Sequence, residues 1–180
     1  MPPVENLFFA VLPDAETAAG IARLTDRLRR VHGLSGRPTP ARRLHVSLYG
    51  LGAFSALAKA DADAAGGFAA AVRAQSFDVA FDRVMSFSHP ADKPLILAGG
   101  EGVAGLVALR AQLARSVAEK TLGRTRSQAF VPHITLLRDR NHVDEHPVEP
   151  VSWAVREFVL VRSLVGKSVY EILSRWPLRD

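Results

Sequence analysis

Two stretches of the chain alternate polar and apolar residues with the period of a half-buried β-strand. In residues 130–138, His133 and Thr135 alternate with Ile134 and Leu136. Successive side chains of a strand point to opposite faces, so the imidazole and the hydroxyl share one face. We expect the aliphatic face to pack on the core and the other face to line solvent or a cleft.

The second such stretch, residues 43–49, lies in the other half of the chain. It places His45 and Ser47 on one face and aliphatic residues on the other. Both stretches have the order histidine, β-branched aliphatic residue, hydroxyl residue, leucine. The sequence therefore predicts two similar strands, each presenting a histidine and a hydroxyl.

Apolar periodicity predicts five more strands, which are bounded by Gly, Pro and Asp residues. They cover residues 7–12, 77–84 with a slip after residue 81, 95–98, 153–164 and 168–177. We expect the last two to form a hairpin turned at residues 165–167. Residues 33–40 and 139–150 are predicted loops, because they are rich in Gly, Pro and charged residues.

Helical periodicity appears in three segments. Asp14 is expected to cap the first helix, whose apolar stripe consists of Ala18, Ile21, Leu24, Leu28 and Val31. Residues 103–122 form another predicted helix that ends at Gly123. Between them, residues 54–74 are predicted to form one helix, or two because Gly66 and Gly67 interrupt the pattern.

The order strand, helix, loop, motif strand occurs twice. From Leu12 to His45 the chain runs 33 residues, and from Ala98 to His133 it runs 35. Such a repeat indicates two pseudo-equivalent lobes, and motif strands near their two-fold axis would bring the histidines together. A length of 180 residues fits one α+β domain spanning residues 1–180.

Composition narrows the classes of function. The chain has no cysteine, which excludes thiol nucleophiles and cysteine-ligated zinc and fits an intracellular location. With 23 Lys and Arg against 18 Asp and Glu, the net charge of +5 favours a polyanionic partner, although it serves solubility equally well. No apolar run is long enough to predict an export signal or a membrane segment.

Paired histidines and hydroxyls suit cleavage of a phosphodiester without metal. An imidazole reaches both protonation states near neutral pH, so two of them can act as general acid and general base. The hydroxyls can donate hydrogen bonds to phosphate oxygens. Neither motif contains a carboxylate, so we expect no metal site. The alternative for each histidine is a structural or surface role.

The motifs His45-Val-Ser47-Leu and His133-Ile-Thr135-Leu resemble the paired His-x-Thr/Ser motifs of the two-histidine (2H) phosphoesterase superfamily. Residues 130–139 resemble the second motif of the RNA 2′,3′-cyclic phosphodiesterases, the LigT or ThpR family. The resemblance implies a bilobal fold whose antiparallel sheets line a central cleft, with helices outside. It also implies hydrolysis of an RNA 2′,3′-cyclic phosphate to a 2′-phosphate without cofactor, with His45 as acid and His133 as base.

The same resemblance implies a set of substrate-binding residues, which are Ser47, Thr135, Arg138, Tyr49 and Phe130. The first motif departs from the family, which usually has threonine at the place of Ser47 and Phe-Leu-Gly after the motif. Strict alternation would put Arg138 on the apolar face. We therefore expect a bulge or a strand end after Leu136.

The other histidines, which are His32, His89, His142 and His146, are interpreted as surface residues. Arginines beside the motifs, which are Arg42, Arg43, Arg124 and Arg126, either steer an RNA backbone or are simply solvated. We expect a cytoplasmic monomer that acts on RNA 2′,3′-cyclic phosphate ends or nucleotides and has no membrane partner. The alternatives are a phosphodiesterase for small cyclic nucleotides or 2′,5′-linked oligonucleotides, and a non-catalytic RNA-end-binding protein.

Overall fold

The computed structural model describes residues 4–121, 129–167 and 169–180. In these ranges the fold is α+β, as predicted. Eight strands occur there: β1 (Glu5–Val11), β2 (Val46–Phe54), β3 (Phe77–Ser86), β4 (Lys93–Ala98), β5 (His133–Asp139), β6 (His146–Val155), β7 (Glu157–Leu164) and β8 (Val169–Pro177). Three α-helices accompany them: α1 (Ala15–His32), α2 (Lys59–Ala69) and α3 (Ala104–Lys120).

The strands form one sheet in the order β6-β3-β4-β5-β2-β1-β7-β8, and neighbouring strands are antiparallel. This order is symmetric about the contact between β2 and β5, with β1 and β4, β7 and β3, and β8 and β6 in equivalent places. The sequence repeat is therefore a structural repeat, and its strand after α1 and its strand after α3 are the two motif strands.

Helix α1 follows the expected local rules. The Asp14 carboxylate accepts a hydrogen bond from the Thr17 amide at 2.8 Å, and Gly33 ends the helix with φ of 60°, a left-handed conformation that glycine adopts without strain. The apolar stripe is buried as far as Leu28. Val31, however, is 71% exposed, so the prediction that it packs on the core is wrong. The stripe ends one turn before the helix does.

The middle and later helices differ from prediction in detail. Residues 54–74 contain the single helix α2, which includes both Gly66 and Gly67, so the interpretation as two helices is wrong. A Cβ at Gly66 would meet nothing within 4 Å, so no close contact requires glycine at this position of the helix. Helix α3 keeps its predicted buried stripe of Leu106, Leu109, Leu113 and Val117. Its predicted stop at Gly123 lies outside the described residues, as do Arg124 and Arg126.

The largest error concerns the segment after the second motif. Residues 139–150 are not all loop, because β6 begins at His146, and residues 153–164 are not one strand. The strand is interrupted at Arg156. Before it, β6 pairs with β3 at one end of the sheet, and after it, β7 pairs with β1 in the other half. The predicted hairpin is confirmed as β7 and β8, with Gly166 at φ of 81° in its turn.

Alternation along the strands separates a core face from an open face. The core includes Phe9, Val46 and Ile134, each fully buried, together with the inner stripes of α1 and α3. Trp153 and Trp176 stack on Phe81 and Phe158, respectively. Within the described ranges, no helix is long and apolar enough to cross a membrane.

Candidate active site

The two motif strands lie side by side, and their register brings the motifs together. Val46 pairs with Ile134 in an antiparallel contact. The same register places His45 opposite Thr135 and Ser47 opposite His133, so each histidine faces the hydroxyl of the other motif. The two histidines are then diagonal neighbours on one face, and such positions are roughly 7–8 Å apart between Cα atoms. The structure therefore brings His45, Ser47, His133 and Thr135 together on one face of the sheet.

Both histidine rings are held in the same way. His45 Nδ1 lies 2.7 Å from the Arg43 carbonyl oxygen, and His133 Nδ1 lies 2.7 Å from the Val131 carbonyl oxygen. A carbonyl oxygen only accepts, so Nδ1 carries the proton and donates in both rings. This leaves each Nε2 to accept a proton when the ring is neutral or to donate one when it is charged.

The surroundings of the two rings differ. His45 lies between the Phe8 and Tyr170 rings, with both centroid distances 5.3 Å, whereas His133 contacts Phe87 at 4.9 Å. Burial lowers the pKa of His45, because it penalises the charged imidazole, and the positive charges of His133 and Arg43 lower that pKa further. Hydrogen bonding to the Arg43 carbonyl opposes this effect without reversing it. His45 is therefore neutral over more of the neutral pH range than an exposed histidine.

Arg138 reaches the open side because β5 contains a bulge. Leu137 pairs with Leu95 and Thr135 with Ile96, which leaves Leu136 as the extra residue. Leu136 and Leu137 are both buried, and Arg138 is exposed. The predicted bulge is confirmed. The guanidinium of Arg138 lies 3.8 Å from the Asp92 carboxylate, in the turn between β3 and β4.

Asp139, the next residue, ties the loop before the first motif to the end of β5. Its carboxylate accepts hydrogen bonds from the amides of Ser35 at 2.8 Å, Gly36 at 2.6 Å and Asn141 at 2.9 Å. These donors lower the pKa of Asp139, with Asn141 contributing most. A Cβ at Gly36 would lie 2.1 Å from the Arg138 carbonyl oxygen, so this contact requires glycine.

A pocket of about 840 Å³ opens beside the motif residues. Ser47 and His133 are among its lining residues, which also come from β2 and helices α2 and α3. Two residues predicted to bind substrate, Tyr49 and Phe130, line it together with Arg110 of α3. The Arg110 guanidinium lies 4.9 Å from the centre of the Phe130 ring and 5.8 Å from that of Tyr49. The volume is in the range of small-molecule sites, roughly 300–1,000 Å³.

Four residues of this region were not predicted from the sequence to belong to the site, which are Phe8, Phe87, Arg110 and Tyr170. Arg110 carried a readable signal, because it occurs at a helical spacing of four and three from Leu106 and Leu113 of the buried stripe. An arginine in that series borders the core rather than pointing to open solvent. The aromatic residues come from strands whose neighbours the sequence did not reveal.

The remaining histidines are outside the two motif strands. His32 and His146 contact each other, with their Nε2 atoms 3.0 Å apart, and His146 begins a strand and does not lie in a loop. His89 and His142 are in turns, 3.5 Å and 3.4 Å from Asp92 and Asp144 carboxylate oxygens. Among the described residues, no three His, Cys, Asp or Glu side chains are grouped to hold a metal ion.

Comparison with known proteins gives consistent matches. The family model of the 2′-5′ RNA ligase superfamily matches residues 13–167. Over 178 residues, the chain is 31% identical to the RNA 2′,3′-cyclic phosphodiesterase of Escherichia coli (strain K12), covering 97% of each chain.

Solved structures agree with this match. The crystal structure of E. coli LigT complexed with 3′-AMP aligns with a TM-score of 0.72 at 28% identity, covering 98% of this chain and 99% of LigT. A protein of Thermus thermophilus aligns with a TM-score of 0.75 at 24% identity, covering 97% of this chain and 98% of its own, which supports the fold alone. With a family model that matches most of its length and a relative at 31% identity, the chain belongs to the 2′-5′ RNA ligase superfamily, as its two histidine motifs indicate.

Proposed function

We propose that this protein hydrolyses the 2′,3′-cyclic phosphate at an RNA end to a 2′-phosphomonoester, with His45 and His133 as the acid and base and without a metal ion. The observation that carries this proposal is the antiparallel register of β2 and β5, which puts both imidazoles and both hydroxyls on one face. The relative of E. coli is named for this activity, and LigT binds 3′-AMP in its crystal structure.

The reaction needs one proton removed and one supplied. As the water oxygen forms its bond to phosphorus, the base takes the water proton on Nε2. As the bond from phosphorus to O3′ breaks, the acid gives its Nε2 proton to O3′. The product has a 2′-phosphate and a free 3′-hydroxyl. Ser47 and Thr135 donate hydrogen bonds to the non-bridging oxygens, where negative charge increases in the transition state.

We assign the role of acid to His45 and that of base to His133, as the resemblance to the family implies. The lowered pKa of His45 favours its neutral form in the free enzyme, compared with an exposed histidine. As the acid it must gain a proton when the substrate enters, and the negative charge of a bound phosphodiester favours this gain. The alkaline limb of the kcat profile should then lie at higher pH than that of kcat/KM, because kcat reports the enzyme–substrate complex.

An assay with adenosine 2′,3′-cyclic phosphate tests the proposal. We expect adenosine 2′-phosphate as product, a bell-shaped pH profile, and undiminished turnover after exhaustive EDTA treatment. Loss of activity on chelation, regained with a divalent ion, would contradict the metal-free mechanism. Release of the 3′-phosphate isomer would contradict the assignment of O3′ as the leaving group.

The same assay separates the alternatives. A non-catalytic RNA-end-binding protein would bind the cyclic nucleotide without turnover. A 2′,5′-phosphodiesterase would cleave a 2′,5′-linked oligonucleotide faster than it opens the cyclic phosphate. We also propose that the enzyme works as a monomer in the cytoplasm, which suits a chain without cysteine. Sedimentation and cell fractionation would test these two points.

A further inference from the structure

The space around the two histidines has a different lining on each side. One lining adjoins His133 and the other adjoins His45. Beyond His133 lies the pocket of about 840 Å³ with Tyr49, Phe130 and Arg110 in its wall. Beyond His45 lies Tyr170, with the Arg43 guanidinium 4.5 Å from the centre of its ring. One end therefore offers a deep aromatic space, and the other offers a cation on an aromatic surface.

The aromatic end fits a nucleobase. Bases stack on aromatic rings and on guanidinium planes, and such stacking is tolerant of base identity. Phe130 and Tyr49 are half-buried, so each keeps part of its ring surface for a ligand. Ser47 and His133 line the same pocket, so a base inside can belong to the nucleotide whose phosphate is at the histidines.

The cationic end fits a phosphate other than the one that reacts. The Arg43 carbonyl binds Nδ1 of His45, so the backbone of this residue is on the side of the ring away from Nε2. Its guanidinium lies over the ring of Tyr170, which contacts the His45 ring at 5.3 Å. Arg43 Nε is enclosed and has no hydrogen-bond partner, and among the described residues no carboxylate forms an ion pair with Arg43. Arg138, in contrast, is next to the Asp92 carboxylate. Arg43 is thus a cation whose charge an anionic ligand can balance.

RNA supplies both groups in the required order. The nucleotide that carries the cyclic phosphate has a base on its ribose and a phosphodiester on its 5′ side. Building on the proposed function, we infer that the aromatic pocket takes the terminal base and that Arg43 takes the phosphodiester on its 5′ side. The preferred substrate is then an RNA end of at least two nucleotides rather than a cyclic mononucleotide.

Kinetics with two substrates test this inference. We compare adenosine 2′,3′-cyclic phosphate with the dinucleotide ApA bearing a 2′,3′-cyclic phosphate. The wild-type enzyme should have a kcat/KM for the dinucleotide higher by about tenfold, and rising salt should reduce this preference. Arg43→Gln should reduce the ratio of the two kcat/KM values to near one. Arg115→Gln, which removes the same charge from the exposed side of α3, should leave the ratio unchanged.

The pocket is tested separately by changing the base. Arg110→Met keeps a long unbranched side chain but removes the guanidinium. We expect this variant to raise KM for both adenosine substrates by about tenfold. With glycerol 1,2-cyclic phosphate, which has no base, this penalty should disappear. A penalty of equal size on the base-free compound would overturn the assignment of the pocket, and an equal loss on both nucleotides in Arg43→Gln would overturn that of Arg43.

Failure of the proposed function is distinguishable from failure of this inference. If the wild-type enzyme turns over neither nucleotide, the proposed activity is wrong, and calorimetric binding decides the subsites. Adenosine 2′-phosphate and the dinucleotide ApA with a terminal 2′-phosphate are the probes. The inference requires tighter binding of the dinucleotide and loss of that advantage in Arg43→Gln, and equal affinities would refute it.

Discussion

The two motifs share the order histidine, β-branched aliphatic residue, hydroxyl residue, leucine, and the same backbone support for their histidines, but not the same surroundings. His45 is enclosed by Phe8 and Tyr170, and its pKa is lowered by burial. His133 lines the pocket and contacts the ring of Phe87. The two halves of the repeat thus present the same kinds of polar side chain with different neighbours. In the proposed reaction, this difference would allow two identical side chains to take opposite roles.

The largest expected effect comes from removing either imidazole. Asparagine places an amide nitrogen where Nδ1 lies, so His45→Asn and His133→Asn keep a donor for the carbonyl of residue 43 or 131 and delete only Nε2. We expect kcat to fall by about 10²–10⁴ in each variant, with unchanged circular dichroism. His142→Asn, on an exposed turn, is the matched control. If either variant kept near wild-type turnover, the acid and base assignment would be wrong.

The comparison becomes sharper with a substrate that needs no acid. Adenosine 2′-(4-nitrophenyl phosphate) releases 4-nitrophenolate, which leaves without protonation. With this compound we expect the acid variant, His45→Asn, to regain about 10²-fold relative to His133→Asn. Release of nitrophenolate is followed by absorbance. Recovery in His133→Asn instead would reverse the two roles.

The hydroxyls come next in size. Since Ser47 lies opposite His133 and Thr135 opposite His45, each strand supplies a donor beside the other strand's histidine. Ser47→Ala and Thr135→Val should each lower kcat by about 10²-fold, as loss of one oxyanion donor does. Ser174→Ala, on the exposed edge strand β8, is the control. Equal activity in wild type and both variants would remove the hydroxyls from the mechanism.

The Asp139 carboxylate is expected to stabilise the fold at the end of β5, where it holds the loop before the first motif. In Asp139→Asn an amide NH₂ replaces one of the oxygens that accept from Ser35, Gly36 and Asn141. We expect a loss of about 1–3 kcal/mol in the free energy of unfolding and a Tm lower by roughly 5 °C. Asp144→Asn, whose side chain is 99% exposed, should change Tm little.

Acid should weaken the same anchor. Because the pKa of Asp139 is lower in the folded protein, its stabilising contribution is present above the unfolded carboxyl pKa of about 3.9 and is lost as pH falls through the folded value. Denaturation at pH 7 and at pH 3 measures this loss. If the wild-type protein and Asp139→Asn lost the same stability between the two pH values, the anchoring role would be refuted.

The parts of this structure that sequence predicted are those with local causes. The alternation around His45 and His133 fixed which side chains share a face, and the conflict over Arg138 predicted the bulge at Leu136. Capping of α1 by Asp14 is equally local.

What the sequence did not predict depends on pairing between distant residues. The segment from Trp153 to Leu164 has no strong breaker at Arg156, yet its two parts pair with strands in opposite halves of the sheet. Phe8 and Tyr170 reach His45 only because β1 pairs with both β2 and β7, and β8 follows β7. Periodicity reports the face of a residue and not the identity of its cross-strand neighbour.

The smallest expected effect tests the difference between the histidines directly. The pKa of His45 is lower in the folded protein than the value near 6.5 expected for an unfolded chain. Between those two values the unfolded state binds more protons, so stability rises with pH through that window and is lost as pH falls. His45→Asn removes this titration and should reduce the change of Tm between pH 5 and pH 8 by an amount on the order of 1 °C. His142→Asn, in which the replaced ring is about half exposed, is the matched control. If His45→Asn had the same pH dependence as wild type, burial would not be what separates the two imidazoles. Their roles would then have to arise from the substrate alone.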